Sequence, residues 1–304
     1  MIPNQGHAMN PETPVIEIEK LARKYGRTDA VKGLSLRVNA GKCYGFFGRN
    51  GAGKTTTIKC LLNLLRPDSG SVRVFGLDPQ RNEVAVKSRL AYVPDYVAFY
   101  PWMTVRETLD YLASFRREWD RATEAELLGQ FRLDAGKKAN GLSKGQKTQL
   151  ALIGAICAQP DLLVLDEPTS GLDPIVRREF IQTVIGAYQE AAPGKRTVFV
   201  STHLIGEFEG LIDEFTIIDD GREVLALESD DARAKFKKIR ARFPGAAPAV
   251  DFPGAKNVRR DGRELELTVN GGSEEVLARL KSLSPEAITT EALTLEEIFV
   301  AALK

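Results

Sequence analysis

The sequence predicts an α/β fold: a mostly parallel sheet flanked by helices, interrupted by a helical insertion and followed by a small α+β appendage. Three observations predict it. The first is Gly48-Arg49-Asn50-Gly51-Ala52-Gly53-Lys54-Thr55, of the form G-x-x-x-x-G-K-T, between an apolar run at 44–47 that reads as a strand and a helix-like run at 55–65. The second is Leu162-Leu163-Val164-Leu165-Asp166-Glu167, a strand without a polar residue until it ends in two carboxylates. The third is the alternation of strand-like and helix-like runs around these motifs, the order that builds a parallel sheet with helices on its faces.

Taken in order, residues 1–14 are rich in Pro and Asn and read as a flexible tail. They have neither a basic start nor an apolar core, so no signal peptide is expected there. Residues 15–19 alternate apolar and charged side chains and read as a strand, and Tyr25-Gly26 makes a turn. Residues 31–38 and 42–47 are further strands around Ala40-Gly41. The helix after the glycine-rich loop is closed by Arg66-Pro67-Asp68-Ser69-Gly70, a strong turn signal. Short strands follow at 71–75 and 90–93, the latter stopped by Pro94. Over 96–159 helical spacing takes over: Val105, Leu109, Leu112, then Leu127, Leu128, Phe131, then Leu150, Ile153, Ile156. Strands return at 162–165, 197–200 and 215–219, with an amphipathic helix at 177–190.

The pattern shifts again near residue 228, which divides a domain at 15–228 from an appendage at 229–304. In the appendage, 231–241 reads as a charged helix and 244–253 as a Pro- and Ala-rich linker. A hairpin about Asp261-Gly262 pairs 256–260 with 264–269. A helix at 274–283, a short strand near Ala287 and a final helix at 295–303 complete it. This part carries no His or Cys.

At 304 residues the chain suits one large domain and a smaller one. Its 43% hydrophobic and 27% charged residues are those of a soluble globular protein, and a net charge of +1 gives no reason to expect nucleic acid. The three cysteines, Cys43, Cys60 and Cys157, are scattered without metal-ligand spacing and read as reduced core residues. No apolar run approaches the roughly 18 residues that span a bilayer. The chain is expected in the cytoplasm, with any membrane role reached through a partner.

The chemistry begins at the glycine-rich loop. Its glycines permit conformations that turn backbone N–H groups inward on an anion, and the following helix N-terminus adds partial positive charge. Gly48, Asn50, Gly51, Ala52 and Gly53 would cradle nucleotide phosphates, with Thr55 and Thr56 opening the helix. Lys54 would reach the β- and γ-phosphates, and the Thr55 hydroxyl would face Mg²⁺. Ligands bind at the C-terminal ends of parallel strands, so Asp166 and Glu167 should face the same nucleotide. Asp166 is placed to hold Mg²⁺ through water, and Glu167 to orient or deprotonate an attacking water.

The run Leu142-Ser143-Lys144-Gly145-Gln146 makes the reading specific. The ordered set is this run, the loop before it, Asp166-Glu167, Ser170-Gly171-Leu172-Asp173 and Ser201-Thr202-His203. In that set the chain resembles, over about 15–227, the ATP-binding subunit of an ABC transporter, whose signature is L-S-G-G-Q. Lys144 stands where the pattern has its middle glycine, and a side chain there can point to solvent. The resemblance implies a P-loop NTPase of the ABC type, with an antiparallel β subdomain beside the parallel sheet and a helical subdomain at about 96–159. It also implies a head-to-tail dimer, homo- or heteromeric, with ATP between the P-loop of one subunit and Ser143, Gly145 and Gln146 of the other. By the same resemblance His203 is the switch histidine, Asp173 links the two sites across the dimer, and Tyr25 stacks on adenine.

One position departs from the family. Where a Gln usually follows the strand entering the helical insertion, this chain has Asp95 after Ala91-Tyr92-Val93-Pro94. A carboxylate also ligates Mg²⁺, but Asp is shorter than Gln by about 1.5 Å, so contact through water is expected. The apolar entry Phe99-Tyr100-Pro101-Trp102-Met103-Thr104-Val105 suits a protein interface. By resemblance the stretch 95–105 docks an integral membrane permease, which places the chain peripherally on the cytoplasmic face of the membrane. The spelling of the P-loop, the Tyr-Pro-Trp-Met-Thr-Val-Arg-Glu run and the C-terminal Leu-Thr-Leu-Glu-Glu-Ile-Phe resemble exporters of the type-2 permease class. Two other readings stay open at this point: a single-cassette ABC ATPase of cell-division or signalling type, and the weakly hydrolysing half of a heterodimer.

Overall fold

The computed structural model describes residues 14–189 and 196–303. Residues 1–13 of the expected tail lie outside the described residues. The chain forms two compact units that divide between Glu223 and Val224.

The first unit opens with β1 (Pro14–Tyr25) and β2 (Thr28–Asn39), then β3 (Cys43–Gly48), α1 (Lys54–Leu61), β4 (Ser69–Val74), α2 (Glu83–Lys87) and β5 (Leu90–Val93). Three helices follow: α3 (Val105–Ala113), α4 (Arg121–Gln130) and α5 (Lys144–Cys157). The unit continues through β6 (Leu162–Asp166), α6 (Pro174–Gln189), β7 (Thr197–Thr202), α7 (Ile205–Phe208) and β8 (Glu214–Asp219). β9 (Arg222–Glu228), a strand that Arg-Glu-Val-Leu-Ala-Leu-Glu does not announce by alternation, carries the chain across the division.

β1 pairs antiparallel with β2 and β4, a three-stranded sheet. The second sheet runs β5-β6-β7-β3-β8, and each of these neighbours is parallel. Its strands are buried on both faces, which is why β3, β6 and β7 have no exposed residue. The register brings Val93 beside Leu165, Asp166 beside Ser201, and Phe47 beside Thr202. The P-loop, Asp95, Asp166-Glu167 and Ser201-Thr202-His203 therefore leave the sheet at one edge, the carboxyl ends of β3, β5, β6 and β7. α1 is shorter than the expected 55–65. Asn63 takes a left-handed φ of 55° and the Leu64 N–H returns to the Lys59 carbonyl at 2.8 Å, which closes the helix.

The second unit holds α8 (Ser229–Lys235), β10 (Phe236–Arg242), β11 (Ala255–Asp261), β12 (Glu264–Asn270), α9 (Ser273–Ser282), β13 (Ala287–Ala292) and α10 (Leu295–Ala302). The expected helix at 231–241 is wrong. It ends at Lys235, and β10 begins at Phe236. Central pairing of β10 between β12 and β13 wins over the local charge pattern, because it buries Ile239 and Ala241 with Leu265, Leu267 and Val269. Val276 and Leu280 of α9 close that core, while Arg240 on the other face pairs with Glu266 at 2.8 Å.

Candidate functional site

The loop after β3 turns on Gly53. It caps α1 with φ 104°, and a Cβ there would lie 2.5 Å from the Ala30 carbonyl oxygen. No other residue fits, so the sequence's Gly-Lys step is a steric requirement. Lys54 follows, with its side chain 5% exposed. Its ammonium donates to the Gly48 carbonyl at 2.7 Å and the Arg49 carbonyl at 3.3 Å, and pairs with Glu167 Oε1 at 2.9 Å.

Glu167 sits just past β6 with a left-handed φ of 48°, and its N–H donates to the Ser201 carbonyl at 2.7 Å. A non-glycine residue in this region carries strain of about 1–3 kcal/mol, held by the surrounding structure. The turn aims the carboxylate into the site. Oε2 lies 2.7 Å from His203 Nδ1 and accepts from the Thr202 hydroxyl and the His203 N–H, each at 3.3 Å. One carboxylate thus bridges Lys54 and His203. Neither that bridge nor Thr202's contact was readable from spacing, since they join the ends of three different strands.

Asp166 is 1% exposed. The Thr55 hydroxyl donates to its Oδ1 at 3.3 Å. Burial pushes the Asp166 carboxyl above its usual range, and the charges of Glu167 and Asp95 push the same way against the Thr55 hydrogen bond. Burial and then the Asp166 and Asp95 carboxylates raise the neighbouring Tyr92 phenol above its ordinary value. Asp95 itself is exposed at the end of β5. Thr55, Asp166 and Asp95 form an oxygen-rich, anionic corner of the kind a hard divalent cation such as Mg²⁺ takes.

Ser143 and Gly145 begin α5 at a different place in the unit. Ser143 caps the helix, its Oγ accepting from the Gln146 N–H at 3.2 Å, while Gln146 Oε1 accepts from the Ser143 N–H at 3.1 Å and from Lys137 Nζ at 3.3 Å. Among the described residues no hydrogen bond or ion pair joins Ser143, Gly145 or Gln146 to the P-loop. Lys144 is exposed, and its Nζ comes within 3.1 Å of where a Cβ on Gly171 would stand. Asp173 is exposed and caps α6, accepting from the Ile175 and Val176 N–H groups at 3.1 Å. Its segment is tied to the helix after His203, for Glu207 receives Thr169 Oγ1 at 2.5 Å and pairs with Arg177 at 2.6 Å.

Tyr25 ends β1 with 46% of its surface exposed. Gly48, Ala52 and Gly53 are buried, Asn50, Gly51 and Thr55 are exposed, and Thr56 is intermediate. Beyond Asp95 a cavity of about 570 Å³ opens, lined among others by Tyr92, Phe99, Leu112, Phe115 and Trp119.

The profile of the ABC transporter family matches residues 31–170. The chain is 37% identical over 298 residues to the Nod factor export ATP-binding protein I of Burkholderia orbicola, across 94% of this chain and 95% of that one. It is 34% identical to the bacitracin transport ATP-binding protein BcrA of Bacillus licheniformis, across 74% and 73%. A solved ATP-binding subunit of an ABC transporter superposes with a TM-score of 0.64 at 26% identity, over 72% of this chain and 92% of that one. A dimeric cassette bound to ADP and phosphate, 23% identical, shares the fold at 0.61, over 70% and 98%.

Proposed function

The chain belongs to the ABC transporter family as an ATP-binding, ATP-hydrolysing subunit that powers transport through a separate permease, and from that premise we propose that it drives export. What supports export is the company it keeps: relatives named for Nod factor export and for daunorubicin and doxorubicin resistance, the latter 39% identical over 217 residues. The cargo class this favours is a drug, lipid or polysaccharide.

Two copies, or this chain and a similar one, enclose ATP head to tail. What supports this is that Ser143 and Gln146 cap α5 and, among the described residues, neither they nor Gly145 make a hydrogen bond or ion pair to the P-loop. Each half-site needs the other subunit's signature to close on the γ-phosphate, where the α5 N-terminus favours the anion. Lys54 and the P-loop amides hold the β- and γ-phosphates. Glu167 takes the proton of the attacking water, and His203, fixed to Glu167 Oε2, holds that carboxylate in line. Thr55, Asp166 and Asp95 would hold Mg²⁺, which would supply charge neutralisation at the phosphoryl oxygens. Tyr25 stacks on adenine, and Asp173 meets the other site.

No described helix is long and apolar enough to cross a membrane. Attachment to the cytoplasmic face comes through the permease, docked at 95–105 and in the cavity lined by Phe99 and Phe115. Purification from detergent-solubilised membranes tests this. The native chain should retain an integral membrane protein, and Phe99→Glu should lose it while keeping the ATPase activity of the purified chain. Native chain that purifies alone, or Phe99→Glu that keeps the membrane protein, would refute the docking assignment.

A further inference from the structure

The β1–β2 hairpin carries more than a lone tyrosine. The Arg23 guanidinium carbon lies over the Tyr25 ring, 5.5 Å from its centroid. Arg23 is held in turn by Asp68, whose Oδ1 accepts from Arg23 NH1 at 2.7 Å, and whose Oδ2 accepts from the Lys24 N–H at the same distance. The Asp68 N–H closes the loop on the Ala22 carbonyl at 2.9 Å. Asp68 thus fastens three consecutive residues leading into Tyr25. The Arg23 Nε is buried without a hydrogen-bond partner, so the guanidinium is not oriented for maximal hydrogen bonding. The hairpin is also anchored to the phosphate site. Beyond the turn, where Tyr25 pairs with Thr28, the Ala30 carbonyl rests on Gly53 and the Lys32 N–H donates to Gly221 at 2.8 Å.

We propose that Arg23, clamped by Asp68, is a positioning residue for the adenine base: it backs the Tyr25 ring and presents its other face to the nucleotide. This rests on Tyr25 being the stacking ring. Two physical effects act together. A cation on one face draws π density from the ring, which favours stacking of an electron-rich purine on the other. A ring with nearly half its surface exposed would otherwise sample several rotamers, and the guanidinium fixes one before ATP arrives. Asp68 supplies the fixed geometry, since its two oxygens are used on two different donors.

Calorimetric titration of the full chain with ATP and with inorganic tripolyphosphate separates base from phosphate recognition. Arg23→Met should weaken ATP about three- to fivefold and leave tripolyphosphate unchanged. Arg23→Lys should restore most of the loss, and Asp68→Asn should weaken ATP in the same base-dependent way. In turnover the loss should appear in KM with kcat retained. Tyr25→Ala is the reference. If it weakens ATP while Arg23→Met does not, the positioning role is overturned. Equal weakening of both ligands by Arg23→Met would mean damage to the P-loop and would also overturn it. If Tyr25→Ala itself leaves ATP binding unchanged, the stacking assignment falls and the inference with it.

Discussion

Lys54 pairs with Glu167, and the phosphates of a bound nucleotide would compete with that carboxylate for the same ammonium. Both side chains are deeply buried, 5% and 10% exposed, and their charged atoms stand 2.9 Å apart. Glu167→Gln removes the anion and keeps the shape. Lys54 then retains its bonds to the Gly48 and Arg49 carbonyls and loses its charged partner. Lys54 and Glu167 make an ion pair rather than a hydrogen bond, and at the low end of the range for close charge pairs such a contact contributes about 1.5–3 kcal/mol. That stabilisation disappears from the free state alone, because in the bound state Lys54 has the phosphates. The variant should bind ATP about 10- to 150-fold more tightly. Loss of a negative charge facing the γ-phosphate acts in the same direction. Turnover should fall on the order of 10²–10⁴-fold with the loss of the general base, and the ATP-bound dimer should persist on size exclusion. Equilibrium titration and steady-state phosphate release measure the two quantities on one preparation. Normal turnover would remove Glu167 from its role. Unchanged or weaker ATP binding would show that the Lys54–Glu167 pair is not what the nucleotide displaces.

Asp95→Ala should raise the Mg²⁺ concentration needed for half-maximal turnover about 10- to 100-fold, and Asp95→Gln should shift it less; native Mg²⁺ dependence in both would exclude Asp95 from the metal's surroundings. Asp166→Asn should melt at a higher temperature than the native chain without nucleotide, because burial already disfavours the Asp166 carboxylate, and should lose Mg²⁺-dependent hydrolysis; a lower melting temperature would count against the crowding of charge described at that corner. ATPase activity per subunit should fall as the chain is diluted through the dimer's dissociation range, and a constant value well below that range would refute the shared site.

The parts of the fold that were legible in the sequence are those decided locally. The P-loop can be read from its G-x-x-x-x-G-K-T spelling between an apolar run and a helix-like run, whereas the φ of 104° and the Ala30 carbonyl that make Gly53 indispensable are visible only in the fold. β6 can be read as buried because Leu162 to Leu165 offers no polar face to water. The stretch 231–241 misleads for the opposite reason. Its charge density suggests a solvated helix, although Ile239, Ala241 and Phe243 alternate with Arg240 and Arg242 in a strand's period of two. Only its two neighbours in the sheet make that alternation decisive. Within the site, residue types followed from motifs, but pairings did not. Glu167 meets Lys54 and His203 because β6 lies beside β7 and β7 beside β3, an order that no local spacing encodes.

On the proposed function, the same topology offers a route from the γ-phosphate to the cavity beyond Asp95. Ser143 and Gly145 stand at one end of α5, and Ala151, Gly154 and Ala155, further along it, line the cavity. The helix has 14 residues, about 21 Å of stiff rod. Gly154 passes so close to α3 that a Cβ would meet Leu112 at 2.7 Å, so the two helices cannot slide without repacking. α3 and α4 are joined through buried Glu124, which receives Arg106, Trp119 and Arg121. A flexible tether in place of α5 would absorb a displacement of Ser143 at its own end. A packed helix transmits it, so in the proposed dimer, drawing the signature onto the phosphate of a facing subunit would also displace the cavity walls that hold Phe99 and Phe115.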